Sequence, residues 1–422
     1  MTAADTSVFE GSFWRDPYPA YERLRAQAPV REVALPRGGT TWMITRYDDV
    51  RAAFTDPRLV KDHRATLPPE VREQAPRLPA PFGSMMILLD PPDHTRLRRL
   101  VSRAFTARRT AELRPRIEAL AAALLDALPG SEPVDLLATY AVPLPMAVIC
   151  ELLGVPDGDR DAFGTWSRAL VDDHDDVDEQ RATAGLADYL STLVETKRRS
   201  PDGALLSALV EVSEAGDQLS TEEVVAMGVL LLIAGHETTA NLIGNAVLGV
   251  ATDAALRGHL LGDPQRIPTA VEEFLRWDGP VHNAPLRFAA EDVEYSGATI
   301  PAGSVVTLSV GAANRDPGRF DRPELLDPDR DTGGHLAFGH GLHYCLGAPL
   351  ARLEAEVALR SLLDRFPGLR LAVPPEDLHH RRSVLVHALE TLPVVLRPPA
   401  AGGATRQAGG GGPGRGGTRM PG

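Results

Sequence analysis

The chain has 422 residues, 43% of them hydrophobic, enough to bury a substantial core in one large domain or about three small ones. Lys plus Arg number 44 against 57 Asp plus Glu, and the formal charge of −13 argues against a general nucleic-acid binder, which needs a net basic face. Two cysteines, Cys150 and Cys345, exclude a disulfide scaffold, a four-cysteine zinc site and a self-contained iron–sulfur cluster, and fit a reducing cytoplasm.

In chain order, Met1 to Ala20 is polar with scattered aromatics and holds no apolar stretch of signal-peptide length. Helical spacing of Ala, Leu, Arg and Glu predicts amphipathic helices over Pro17–Gln27, Asp93–Phe105 and Thr110–Ala127. Short strands are predicted at Thr41–Thr45, Val305–Val310 and Leu392–Leu396. The expected fold is mainly α with small β-sheets beside a large helical body. The longest apolar run, Ala226–Ala234, falls well short of the roughly 18 residues that span a bilayer, so no membrane anchor is expected. No repeat and no interdomain linker precede Pro398, so 1–398 is expected to form one domain. From Pro399 to Gly422 the composition turns to Gly, Pro and Ala with three Arg, which is expected to leave 399–422 as a disordered tail.

Ser220-Thr-Glu-Glu223 reads as a capping box opening a helix to about Val250. At its centre, Ala234-Gly-His-Glu-Thr-Thr239 sets a glycine, an acid and two hydroxyls in an otherwise apolar helix, where each weakens the helix or demands a buried partner. Two readings are open. One is a polar kink satisfied locally; the other is a functional notch in which Thr238 bends the hydrogen-bond ladder and Glu237 passes protons inward. His236, a lone histidine, is expected to pack or to line a cavity wall.

The most informative segment is Phe338-Gly-His-Gly-Leu-His-Tyr-Cys345-Leu-Gly-Ala-Pro349. Its glycines permit a tight loop, and Pro349 suits the first turn of a following helix. An isolated cysteine is most often an inert buried thiol. At a helix N-terminus, however, the dipole and free amides favour the metal-ligating thiolate, with Leu346 and Gly347 as the expected donors to sulfur.

Phe338, Gly341, Cys345 and Gly347 stand at the spacing of the cysteine signature of cytochromes P450, and the chain resembles that superfamily from about Phe13 to Pro398. It looks most like actinobacterial enzymes that oxidise polyketides, macrolides and other secondary metabolites. The resemblance implies the single-domain P450 fold around a buried haem b (iron protoporphyrin IX), with Cys345 as iron ligand in a loop shaped by Phe338, Gly341 and Gly347. It implies Glu237 and Thr238 as the oxygen-activating acid–alcohol pair. His94 and Arg98, after the Asp90-Pro91-Pro92 turn, with Arg287 and His343, match the family's propionate contacts. Glu273, Arg276 and Arg330 match its buried proximal ion network, although any surface helix could show such a pair by itself. One departure is Glu324-Leu-Leu326, where the family usually has a Phe.

The implied activity is haem-thiolate monooxygenation, hydroxylating or epoxidising an apolar small molecule. No flavin or nicotinamide fingerprint occurs, so two electrons would come from NAD(P)H through a separate ferredoxin reductase and ferredoxin. A cytoplasmic monomer without nucleic-acid or membrane partners is expected. Rival readings are a peroxide-using haem enzyme, for which the acid–alcohol pair would be expendable, and a haem sensor, which would need a further module. Substrate walls are expected at Ala80–Leu89, Phe163–Glu179 and Asn283–Leu286. Two charge runs stay open: the acidic run Asp172–Glu179 as solvated loop or cation-steering surface, and Arg96, Arg98, Arg99 and Arg103 as solvated helix or ferredoxin-docking face.

Overall fold

The computed structural model describes residues 5–396 apart from 77, 79, 130–131, 172–175 and 213–216. The tail at 399–422 and the acidic side chains of 172–179 lie outside the described residues. Helices dominate. The longest, Thr221–Thr252, opens with the capping box expected from sequence: Ser220 Oγ accepts from the Glu223 amide at 3.1 Å, and Glu223 Oε2 accepts from the Ser220 amide at 2.7 Å. It packs against the Pro143–Leu153, Asp176–Arg199 and Ala348–Arg365 helices, which cover its apolar faces. It is the one described helix long and apolar enough to cross a membrane, and most of that apolar stretch is buried inside the protein.

Helices at Tyr18–Gln27 and Asp93–Ala104 match the sequence reading to within a residue. The stretch read as one helix over Thr110–Ala127 is instead two, Ala107–Glu112 and Arg114–Asp126. Pro115 causes the break, because it has no N–H to bond the carbonyl of Ala111.

The main sheet has five strands in the order Val30–Ala34, Thr40–Ile44, Val305–Leu308, Arg287–Ala289 and Leu59–Val60. Only the Thr40–Ile44/Val305–Leu308 pair is parallel, and there Thr41 and Thr307 share a buried hydroxyl contact at 2.9 Å. The strand expected to reach Val310 stops at Leu308, since Val310 begins a short helix. Pro393–Val395 forms the centre of a three-stranded sheet between Val134–Asp135 and Arg370–Leu371. The main sheet matters for function because it buries Arg287 between Val306 and Leu59.

Two carboxylates on the Ile267–Asp278 helix tie the proximal half together. Glu273 and Arg276 have no exposed side-chain surface. All five guanidinium N–H groups of Arg276 find acceptors: Glu273 Oε2 and Oε1 at 2.7 Å each, and the carbonyls of Asn314 (3.1 Å), Pro323 (2.9 Å) and Leu325 (2.9 Å). Arg330 Nε adds a contact to Glu273 Oε1 at 3.2 Å. Glu324–Leu326 lacks the family's Phe, and the Phe320 ring lies 5.5 Å from the Arg276 guanidinium. One residue earlier, Glu272 accepts from Arg352 Nε at 2.6 Å, Arg352 Nη2 at 2.9 Å and His335 Nε2 at 3.0 Å. Arg352 in turn lies 4.5 Å over the Phe338 ring, so this clamp fastens the cysteine loop to the helical body.

Removing one partner of a fully buried pair leaves an uncompensated charge. Arg276→Ala is therefore expected to lower unfolding free energy by about 3–5 kcal/mol, measured by urea unfolding. A loss below about 1 kcal/mol, the range of an exposed pair, would contradict this account. Glu272 gives a pH signature. Burial pushes its carboxyl up, but His335 and Arg352 overcome that and hold its pKa at about 2, against an ordinary 4.5. Its folded value lies below its unfolded one, so the pair stabilises above pH 4.5 and the gain fades as pH falls toward 2. The stability gap between the parent and Glu272→Gln should shrink over that window. A pH-independent gap would count against the clamp.

Candidate active site

The loop holding Cys345 is closed by its own backbone: the Cys345 amide donates to Phe338 O at 2.9 Å and the Tyr344 amide to Gly341 O at 3.1 Å. Gly341 sits at φ +73°, and a Cβ there would come within 2.7 Å of Thr55 Cγ2, so both conformation and space require glycine. Gly347 caps the Ala348–Arg365 helix, with Pro349 in the first turn. The thiol is exposed, yet burial is the largest influence on it and pushes its pKa up. Its open surface therefore faces a space enclosed by protein. The amides of Gly347 and Ala348 and the cations Arg98 and Arg352 pull the other way. Gly347 is one of the donors expected from sequence, and Ala348 is the first residue of the helix, where the free amides point back along the axis.

Beside the thiol, cationic groups crowd together. His94 is buried with neither ring nitrogen hydrogen-bonded among the described residues, and its ring centroid lies 4.1 Å from that of His343. Burial first, then repulsion from His94, Lys61, Arg287 and Arg98, drives His343 down to about 3. Lys61 donates to the carbonyls of Pro285 (2.7 Å) and Leu286 (3.1 Å), and burial followed by Arg287 lowers it to about 7. Arg287 donates to Leu59 O at 3.0 Å and Phe54 O at 3.3 Å, while its buried Nε has no partner among the described residues. Arg98 reaches Tyr344 O at 2.6 Å. The chief opposing charge is Asp90, which is occupied by the amides of Lys61 and Asp62. Arg98, Arg287 and Lys61 gathered beside an open thiol, with orphaned ring and guanidinium nitrogens on His94 and Arg287, have the charge and hydrogen-bonding deficit that two carboxylates would fill. These residues fit a haem.

On the long helix, Thr238 Oγ1 donates to Ala234 O at 2.8 Å and Thr239 Oγ1 to Gly235 O at 3.1 Å. The helix runs unbroken through them, so the hydroxyls bond back to the ladder without interrupting it. His236 is buried, with Nδ1 2.8 Å from Leu232 O, which agrees with the packing role. Ala234, midway along a core helix, is exposed, marking an opening in the interior. Glu237 accepts a hydrogen bond from Arg381, which lies 144 residues away. Neither Arg381 nor Lys61 carries a sequence signal; only the folded chain brings them to the site.

Of the stretch 163–179 read as a substrate wall, Phe163 is completely buried in the core, and the side chains from 167 on lie outside the described residues. In the arginine run, Arg96 bonds Glu223 at 2.7 Å and Asp217 at 3.3 Å, and Arg99 pairs with Asp217 while staying exposed. Helical spacing separates these from Arg98, since 96, 99 and 103 share one face while 94 and 98 share another. Leu286 is exposed.

Comparison with known proteins agrees with this geometry. The family model described as Cytochrome P450 matches residues 267–391. The vitamin D(3) 25-hydroxylase of Pseudonocardia autotrophica is 56% identical over 93% of this chain and 97% of its own length. The cytochrome P450 monooxygenase PikC of Streptomyces venezuelae is 44% identical over 93% of this chain and 94% of its own. The ligand-free structure of the P450 monooxygenase TamI superposes with a TM-score of 0.86 at 44% identity, covering 94% of this chain and 95% of that one, and TamI has also been solved with tirandamycin C bound. Near-complete coverage by such relatives, on a fold that opens a cysteine thiol beside a ring of cations, places the chain in the cytochrome P450 family as a bacterial monooxygenase.

Proposed function

We propose that Cys345 ligates the iron of haem b, that His94, Arg98, Arg287 and His343, joined by Lys61, hold its propionates, and that the enzyme hydroxylates or epoxidises a neutral, largely apolar small molecule. The observation carrying this reading is the open Cys345 thiol beside Arg98, Arg287 and Lys61, which are capped by backbone carbonyls, with the orphaned nitrogens of His94 and Arg287 among them. Bound through the thiolate, haem supplies reductive activation of O2 and transfer of one oxygen atom. The amides of Gly347 and Ala348 stabilise negative charge on the sulfur. Phe338 and Gly341 fix the loop that aims it. Thr238 Oγ1, anchored to Ala234 O at 2.8 Å, passes protons through a fixed hydroxyl, and Glu237 supplies them.

Electrons reach the enzyme from NAD(P)H through a ferredoxin reductase and a ferredoxin, in a cytoplasmic, monomeric protein whose working unit is 1–398. The presence of both Glu237 and Thr238 favours this route over direct use of peroxide. The vitamin D(3) hydroxylase relative and tirandamycin-bound TamI favour an apolar substrate of vitamin or polyketide type over a cationic one. A binding screen with vitamin D(3) and polyketides, read from the haem absorption shift, tests that choice.

Cys345→His is expected to abolish the thiolate signature in the reduced, carbon-monoxide difference spectrum, along with substrate oxidation. Retained oxidation would remove Cys345 as the ligand. Thr238→Ala should keep haem and substrate affinity while product formed per NAD(P)H falls at least about tenfold and peroxide rises in its place. Unchanged coupling would leave Thr238 as a helix-packing residue only.

A further inference from the structure

Glu237 is held from outside its own helix. The contact comes from Arg381, on a C-terminal hairpin closed by the bridge between His380 and Leu389 and by the Arg381 amide donating to Ala388 O at 2.9 Å. The ion pair is sheltered, with side-chain exposures of 27% for Arg381 and 16% for Glu237, below those of a freely solvated surface pair.

The hairpin itself is fastened by a buried knot. His387 Nδ1 lies 3.0 Å from Asp278 Oδ1, and Tyr18 donates to the same oxygen at 2.6 Å. His282 stands 3.5 Å from it, the His387 amide bonds Pro280 O at 2.9 Å, and Asn245 on the long helix bonds Asp278 O at 2.9 Å. The ligand atoms of Asp278, His282 and His387 lie within 4.8 Å of one another, the spacing of a metal centre. Ring orientation argues against one. His282 and His387 are stacked at 4.6 Å with planes only 28° apart, so their in-plane lone pairs run nearly parallel and cannot both converge on an ion. The knot is therefore a hydrogen-bonded anchor for the hairpin that carries Arg381.

We propose that Arg381 is a positioning residue for proton delivery. Its guanidinium fixes the Glu237 carboxylate in one place beside Thr238, and the His387–Asp278 knot keeps the guanidinium from drifting. Arg381 also lines a cavity with Phe13, Trp14, Tyr21, His282 and His387. Shortening the side chain removes this ion pair from the carboxylate. This proposal rests on the reading of Glu237 as the proton-carrying acid, and its test keeps the two apart.

The experiment uses substrate-free holoenzyme reduced by NADPH through a surrogate ferredoxin and reductase, with oxygen consumption and its deuterium-solvent isotope effect measured for the parent, Arg381→Gln, Arg381→Lys, Glu237→Gln and the Arg381→Gln/Glu237→Gln double variant. Haem content and thermal unfolding midpoint are measured alongside. Arg381→Gln is expected to slow oxygen consumption by about tenfold and raise the isotope effect, with haem content and midpoint unchanged. Arg381→Lys should recover most of the parent rate. The double variant should be no slower than Glu237→Gln alone, because both substitutions break one unit. If Glu237→Gln runs at the parent rate, the acid assignment fails and takes the proposal with it. If Glu237→Gln is slow but Arg381→Gln is not, or if the two effects multiply, only the proposal fails. Loss of haem or early melting in both Arg381 variants would make Arg381 a structural residue and overturn the proposal too.

Discussion

A thiol that must stay open inside a protein is a demanding object, because every surrounding force acts to cover it. Here the backbone carries the load. The Cys345 amide is tied to Phe338 O, Gly341 presses against Thr55 where no Cβ fits, and the next helix begins at Ala348 with its first amides directed at the sulfur. Behind the loop, Arg352 covers the Phe338 ring and grips Glu272 with two hydrogen bonds. Each constraint comes from a different element, so the sulfur's position follows from the packing of three helices and not from the loop alone.

Those helices are held in turn by charge pairs that desolvation makes costly to leave incomplete. The Glu273–Arg276 pair succeeds because every guanidinium hydrogen has an acceptor, three of them backbone carbonyls from 314–325. That segment has little regular secondary structure, and its carbonyls would otherwise go unpaired in the interior. The pair thus organises an irregular stretch that hydrophobic periodicity could not.

How much of this was legible in the sequence depends on how local each feature is. The cysteine loop, the capping box at Ser220 and the strand near Thr41 show themselves because glycine spacing, cap chemistry and alternation operate within a few residues. The Thr110–Ala127 reading missed the break at Pro115 because apolar spacing continued across it. Lys61, Arg381 and the Glu272–Arg352 clamp were invisible, since their contacts span 224, 144 and 80 residues. The acids paired with Arg96 and Arg99 were hidden for a related reason: a crowd of arginines says nothing about which face of the helix meets an acid, and Asp217 and Glu223 lie on a distant segment.

The same residue type is used in two electrical ways, and the difference separates framework from site. Arg276 and Arg352 are matched to carboxylates, which cancels their charge and lets Arg276 sit fully buried and Arg352 partly so. Arg98, Arg287 and Lys61 are capped by backbone carbonyls at Tyr344, Leu59, Phe54, Pro285 and Leu286. A carbonyl dipole solvates a cation without neutralising it. Positive charge is therefore kept unspent around the thiol, and burial, followed by repulsion among these groups, depresses His343 and Lys61. Such repulsion destabilises the fold unless an anion relieves it, so an anion bound among these groups would make the protein more stable.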